Sequence, residues 1–152
     1  MIKKFITILI FFIFFITNSY SENNRYFEFD KGIIMLMYHR FDENKYPSTN
    51  IQMEVFKKQI KIIEELKIEF LHPDKLNDTI VKPNLKKKVL LTVDDGFQSF
   101  YEKSWPFLKE KNIPLILFIS TKDVGKNGYM TWSQIKEVEK SGLVVIGNHS
   151  HS

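Results

Sequence analysis

Val89-Leu90-Leu91-Thr92-Val93 runs straight into Asp94-Asp95-Gly96, and that junction decides how the chain folds. The first five residues are apolar or β-branched at both alternating positions, as a strand covered on both faces requires. Two acidic residues, poor strand formers, and a glycine then end it. Upstream, Ile33-Ile34-Met35-Leu36-Met37-Tyr38 has the same two-sided apolar character and stops at His39-Arg40. Between these strands, Ile51, Val55, Phe56, Ile60, Ile63 and Leu66 fall near one face at helical spacing, with Asn50 set to cap a helix over 51–67. A short strand from Ile68 to Leu71 follows, and then a proline-bearing stretch, 73–84, that suits a short helix and a connection.

Downstream, Tyr101, Trp105 and Leu108 mark a helix to Lys111 in which Pro106 predicts a kink or two short helices. A strand over 113–119 tolerates Pro114 only near its start. Thr131-Trp132-Ser133-Gln134 has the form of a capping box, opening a helix that Gly142 closes. Leu143-Val144-Val145-Ile146 is a further buried strand that leads into Gly147-Asn148-His149. Strand and helix alternate about four times, and parallel strands need such crossovers, so the class is α/β with a parallel sheet.

Composition narrows the chemistry. The 152 residues are 43% hydrophobic and 14% aromatic, a globular rather than a disordered profile. No cysteine is present, which excludes disulfides, thiolate metal sites and a cysteine nucleophile; any metal must be held by His, Asp or Glu. The formal charge of +4 owes two units to Lys3 and Lys4. These precede an apolar run from Phe5 to Ile16 and the small residues Ser19 and Ser21, the pattern of a secretory signal over residues 1–21, followed by a linker over 22–31. The run is too short for the roughly 20 residues that span a bilayer, so the membrane is expected to be a partner only during export, to periplasm, envelope or exterior. A nucleic-acid partner has no support: Lys86-Lys87-Lys88 carries no interleaved aromatic residue and reads as a solvated lead-in to a strand.

Three strands finish in reactive polar residues: His39 after the first, Asp94 and Asp95 after the third, and His149 after the last. In parallel α/β folds the carboxyl ends of strands share one rim, where catalytic groups gather. Two adjacent carboxylates repel, and a divalent cation on one of them removes the conflict and leaves the other to take a proton from water. His149 could add an imidazole, and oxygen with nitrogen ligation suits zinc, iron, cobalt or nickel. As a bare tripeptide Asp-Asp-Gly is equally a turn and helix cap; its place after a buried strand favours chemistry. His39 either lines the mouth of the site or is an ordinary hydrogen-bonded rim histidine. Tyr129 and Trp132 are placed either to stack on a sugar ring or to pack at a helix start. Signatures for a nucleophilic serine or a phosphate cradle are absent.

Thr92-Val93-Asp94-Asp95-Gly96 resembles the Thr-Phe-Asp-Asp-Gly motif of the NodB-type polysaccharide deacetylases, carbohydrate esterase family four, and His149-Ser150-His151-Ser152 resembles the opening of their His-Ser/Thr-x-x-His motif. Leu36-Met37-Tyr38-His39-Arg40 with Tyr46-Pro47-Ser48-Thr49, and Gly128-Tyr129-Met130-Thr131-Trp132, are similar to further stretches of that family. The resemblance spans residues 32–152 as the N-terminal part of the catalytic domain. It implies an incomplete (β/α) barrel, truncated at the C-terminus, and metal-dependent removal of acetyl groups from N-acetylated polysaccharide. Asp94 would be the general base, Asp95 and His149 metal ligands, His39 a substrate contact, and zinc the metal, with cobalt or nickel as substitutes. The second metal histidine of the motif falls at position 153, past Ser152, and His151 stands at an x position. The chain is therefore expected to be the first part of a longer gene product and to hydrolyse little alone. A remnant that only binds envelope polysaccharide is the alternative expectation.

Overall fold

The computed structural model describes residues 31–82 and 86–151; the expected signal at 1–21 and all of the expected linker except Lys31 lie outside them. In chain order these residues form β1 (Ile33–Tyr38), β2 (Arg40–Phe41), β3 (Asn50–Ile51), α1 (Met53–Glu65), β4 (Glu69–Phe70), α2 (Leu76–Ile80), β5 (Lys88–Val93), α3 (Trp105–Glu110), β6 (Leu115–Ser120), α4 (Trp132–Glu139) and β7 (Val144–Ser150). Strands β1, β5, β6 and β7 lie side by side in that order, all parallel, and β4 joins the first two residues of β5. Strands β2 and β3 make a separate parallel pair.

The register sorts the side chains into two faces. Leu36 and Tyr38 align with Leu91 and Val93, which align with Leu115 and Leu117, and these with Val144 and Ile146. This face packs on the helices, joined by Phe56, Ile60 and Ile63 of α1, Trp105 and Leu108 of α3, and Ile135 and Val138 of α4. Burying each such side chain contributes about 1.5–3 kcal/mol before conformational entropy is subtracted. At the β1 end the packing is aromatic: the Phe56 ring stands edge-on to Tyr38 and Phe41, with centroids 4.9 and 5.1 Å apart.

The opposite face corrects one expectation. The apolar run of β1 is not covered on both sides, since Met35 is 58% and Met37 64% exposed. They align with Leu90 and Thr92, and the same face continues through Ile116 and Phe118 to Val145 and Gly147. The helices of the described residues leave both side chains largely uncovered, with Met35 and Met37 bordering a hollow whose other wall is Gln59, Ile62 and Ile63 of α1.

Local chemistry explains the ends of the elements. Asn50 does not cap α1; it lies in β3, and its Oδ1 accepts the Glu43 amide at 2.7 Å. The first-turn amide of Met53 is capped instead by Asp42, whose Oδ1 lies 2.7 Å away from the far side of the loop. Pro106 sits in the first turn of α3, where its missing N–H costs nothing, and the preceding residues 100–104 form a π-helical turn rather than a kinked α-helix. Thr131 and Gln134 make both halves of the expected capping box.

Candidate active site

The rim at the carboxyl ends of β1, β5 and β7 gathers four of the residues singled out from the sequence. Asp94 follows β5 directly, and its amide donates to the Tyr38 carbonyl at 2.9 Å, so the parallel ladder holds its backbone. Asp95 and Gly96 both adopt left-handed backbone, each with φ 70°. Aspartate tolerates that region better than most residues, and glycine is free in it. A Cβ at Gly96 would stand 2.9 Å from Ile119 Cδ1, so that methyl would also have to shift. The sharp turn brings the Asp95 carboxylate back to the rim rather than onward along the strand.

His149 reaches the rim by a route the sequence does not announce. Strand β7 does not end at Ile146; it continues to Ser150, so His149 lies within it. Ile119 pairs with Asn148 and Ser120 with Ser150, and His149 is the extra residue of a β-bulge. Bulges of this kind re-aim a side chain, often beside a functional site. The imidazole lies between the two carboxylates, Nε2 3.6 Å from Asp94 Oδ2 and Nδ1 3.6 Å from Asp95 Oδ1. His39 approaches from β1, with Nε2 3.9 Å from Asp94 Oδ2. His151 turns elsewhere, its Nδ1 2.8 Å from Thr121 Oγ1.

Burial sets the electrostatics. Asp94 is 7% exposed, and the loss of solvent pushes its carboxyl above the ordinary carboxylate range, with Asp95 adding to the rise and His39 and His149 opposing it. Tyr129 sits at the same rim, its phenol raised first by burial and then by Asp123, with Asp95 adding to the rise.

Two donors on one zinc ion, each bonded at about 2.0–2.2 Å with tetrahedral angles, stand about 3.4 Å apart. Asp95 Oδ1 and His149 Nδ1, at 3.6 Å, fit two corners of such a shell. Asp94 does not supply a third, because it faces the other ring nitrogen. Among the described residues no group of three or more His, Cys, Asp or Glu side chains is arranged to hold an ion.

A supporting clamp on the rim went unread in the sequence. The Arg40 guanidinium lies over the rings of Phe97 and Tyr46, 3.5 and 4.0 Å from their centroids, and pairs with Glu43 at 2.7 Å. Glu43 also accepts the Ser99 hydroxyl at 2.5 Å, and Ser99 Oγ accepts the Phe41 amide. The loop after β1 is thereby fastened to the segment that follows Asp94-Asp95-Gly96. Arg40 and Tyr46 share one loop, but Phe97 and Ser99 lie far from it in the sequence, with no periodicity to link them. Trp132 stands 52% exposed at the start of α4.

Comparison with known proteins bears on the family and the fold. Residues 81–152 match the polysaccharide deacetylase family model. YxkH of Bacillus subtilis, which carries the polysaccharide deacetylase name, is 26% identical over 114 residues, covering 73% of this chain and 40% of its own. The poly-β-1,6-N-acetyl-D-glucosamine N-deacetylase of Escherichia coli K12 is 31% identical over 84 residues, 45% of this chain and 12% of that protein. The solved structure of IcaB from Ammonifex degensii superposes with a TM-score of 0.72 at 32% identity, over 78% of this chain and 53% of that one. The chain thus spans about half or less of the relatives it matches, and its parallel sheet with helices corresponds to part of their fold, an incomplete barrel.

Proposed function

We propose, from the kinship with polysaccharide deacetylases just described, that this chain carries the proton-accepting carboxylate and two metal-holding side chains of a deacetylase acting on N-acetylated polysaccharide. The observation that carries the reading is the convergence of His149 on Asp94 and Asp95, each carboxylate 3.6 Å from one ring nitrogen, although they lie far apart in the sequence. Asp95 and His149 are the residues that would hold a divalent ion, zinc before cobalt or nickel. Such an ion, when bound, supplies a Lewis acid for the acetamide carbonyl and makes water easier to deprotonate.

The chain's own residues do the rest. Asp94 takes the proton from the attacking water, and its burial suits it, because a carboxyl raised above its ordinary range is the stronger base. The ladder bond from its amide holds its backbone at the rim. His39, whose Nε2 approaches the same Asp94 oxygen as His149 does, contacts the sugar. The proposed signal at 1–21 exports the chain to the envelope or beyond, where such polymers lie; among the described residues no helix is long and apolar enough to cross a membrane.

A second reading, a non-catalytic chain that binds envelope polysaccharide, is favoured by the lack of a third donor among the described residues. Calorimetric titration with zinc or cobalt separates the two. The deacetylase reading expects saturable binding in the micromolar range or tighter, weakened at least about tenfold by Asp95→Ala or His149→Ala. Turnover of N-acetylglucosamine oligomers by this chain is expected to be weak. Absence of saturable metal binding would overturn the deacetylase reading.

A further inference from the structure

The parallel strands run from a foot, at their amino ends, to the rim that carries Asp94 and His149, and the foot has a composition of its own. Lys31 and Lys86 are bridged through their backbones just before β1 and β5, and Lys87 follows. Lys67 stands in left-handed backbone, φ 54°, in the turn between α1 and β4, and Lys82 comes shortly after α2. Acidic groups of the same corner are already paired: Glu69 with Lys88, Glu65 with Lys61 and Glu64 with Lys111. Among the described residues Lys31, Lys67, Lys82, Lys86 and Lys87 enter no ion pair. These five charges exceed the formal +4 of the whole chain, so its positive excess is concentrated at the foot.

Aliphatic side chains stand uncovered among these lysines. Leu66 is 64% exposed, Ile80 56% and Val81 77%. Leu66, Lys67, Ile68, Glu69, Lys86 and Lys87 bound an open hollow of about 570 Å³. An anionic bilayer satisfies both kinds of group at once, with ammonium groups on lipid phosphates and aliphatic ends at the boundary of the acyl chains. A soluble polyanion would engage the lysines and leave the aliphatic groups in water. The chain also enters the fold at this end. The apolar run that closes at Ile16 is followed by Lys31 after at most about 50 Å of extended chain, so a body delivered through a membrane by that run arrives with its foot nearest the bilayer.

We propose that the foot of the sheet is a docking surface for an anionic phospholipid bilayer, with Lys67, Lys86 and Lys87 on lipid phosphates and Leu66, Ile80 and Val81 at the acyl boundary. The run Lys86-Lys87-Lys88, which as sequence is only a solvated lead-in to β5, thereby acquires a partner. Docking by the amino ends of the strands turns the rim of Asp94 and His149 away from the membrane, toward whatever polymer lies outside it. The inference stands apart from the deacetylase reading, because it uses none of the rim residues.

Hydrogen–deuterium exchange of the full chain tests it, with mixed phosphatidylglycerol and phosphatidylcholine vesicles, with phosphatidylcholine vesicles alone, and with soluble polyphosphate. Slowed exchange in the folded body reads contact there whether or not residues 5–16 also enter the bilayer. Phosphatidylglycerol vesicles are expected to slow the amides of 66–69, 80–82 and 86–88 at least about threefold, while Asp94, Asp95 and His149 exchange as before. The effect should vanish in about 0.5 M sodium chloride, where the Debye length falls to about 4 Å. It should vanish also in the triple variant Lys67→Glu, Lys86→Glu, Lys87→Glu. The same change of charge at exposed positions elsewhere, Lys45→Glu, Lys103→Glu and Lys136→Glu, should leave most of it. Equal slowing by phosphatidylcholine alone, slowing by polyphosphate without slowing by vesicles, or no slowing at the foot would overturn the proposal. So would equal loss in the two triple variants, and persistence in high salt decides against it even if the first variant fails to fold.

Discussion

The two faces of the parallel sheet are built from the same kinds of residue and serve different ends. On one, Leu91, Val93, Leu115 and Leu117 are all but fully buried beneath three helices. On the other, Met35 and Met37 stand exposed beside the buried Leu90 and Thr92, and the row ends in Asp94 and His149. Apolar content alone therefore does not say which face is core. What distinguishes them is the partner: the helical face is satisfied within the chain, and the open face runs into the groups proposed to do chemistry.

The largest expected effect breaks the comparison directly. Leu117→Ala removes a side chain with no exposed surface, and a cavity there should cost about 3 kcal/mol, read as a drop in the denaturation midpoint. Met37→Ala, two strands away on the opposite face and 64% exposed, should cost no more than about 0.5 kcal/mol. Equal costs would mean that Met37 is covered in solution and that the open face is not open.

A second test sharpens the polar end of the open face. The Asp94 carboxyl is raised by burial, so the folded chain holds its proton where the unfolded chain has released it. Stability from this residue is thus intact below the unfolded-state value near 3.9 and is lost as pH rises through the folded one. Asp94→Asn, measured with a chelator present, should raise the thermal midpoint at pH 7, with the gain shrinking toward zero near pH 3. A loss of stability at pH 7 would show that His39 and His149 overcome the burial of the carboxylate.

Much of this was legible in the sequence, and the omissions have physical causes. The strand from Val89 to Val93 and its acidic stop could be read because burial on a parallel sheet demands unbroken apolarity and a turn demands Asp and Gly. The Thr131 and Gln134 cap was legible because it is local. The end of β7 was not: a bulge at His149 depends on pairing with Ser120, 29 residues earlier, and nothing in Gly147-Asn148-His149 records it. The two-sided apolarity of β1 misled for a related reason, since periodicity reports what a residue prefers and not whether a partner arrives. The Arg40 clamp depends on the loop 40–46 meeting Phe97 and Ser99 from a distant segment, and no local pattern announces that meeting.

An effect that changes sign with pH belongs to Tyr38, where β1 meets the helical layer. Its ring is buried against Phe56, and its hydroxyl donates to Gln59 Oε1 at 2.9 Å. Burial pushes the phenol up to about 12. The unfolded chain ionises near 10, so this residue withdraws stability as pH climbs from about 10 to 12, by up to about 1.4 kcal/mol per pH unit. At pH 7, Tyr38→Phe forfeits one half-exposed hydrogen bond, about 0.5–1 kcal/mol. Because phenylalanine cannot ionise, the variant should lose that deficit near pH 11, and the two denaturation curves should cross. Curves that stay parallel up to pH 11.5 would mean that the phenol reaches water, and that the helical face at β1 is as open as the face bearing Met37.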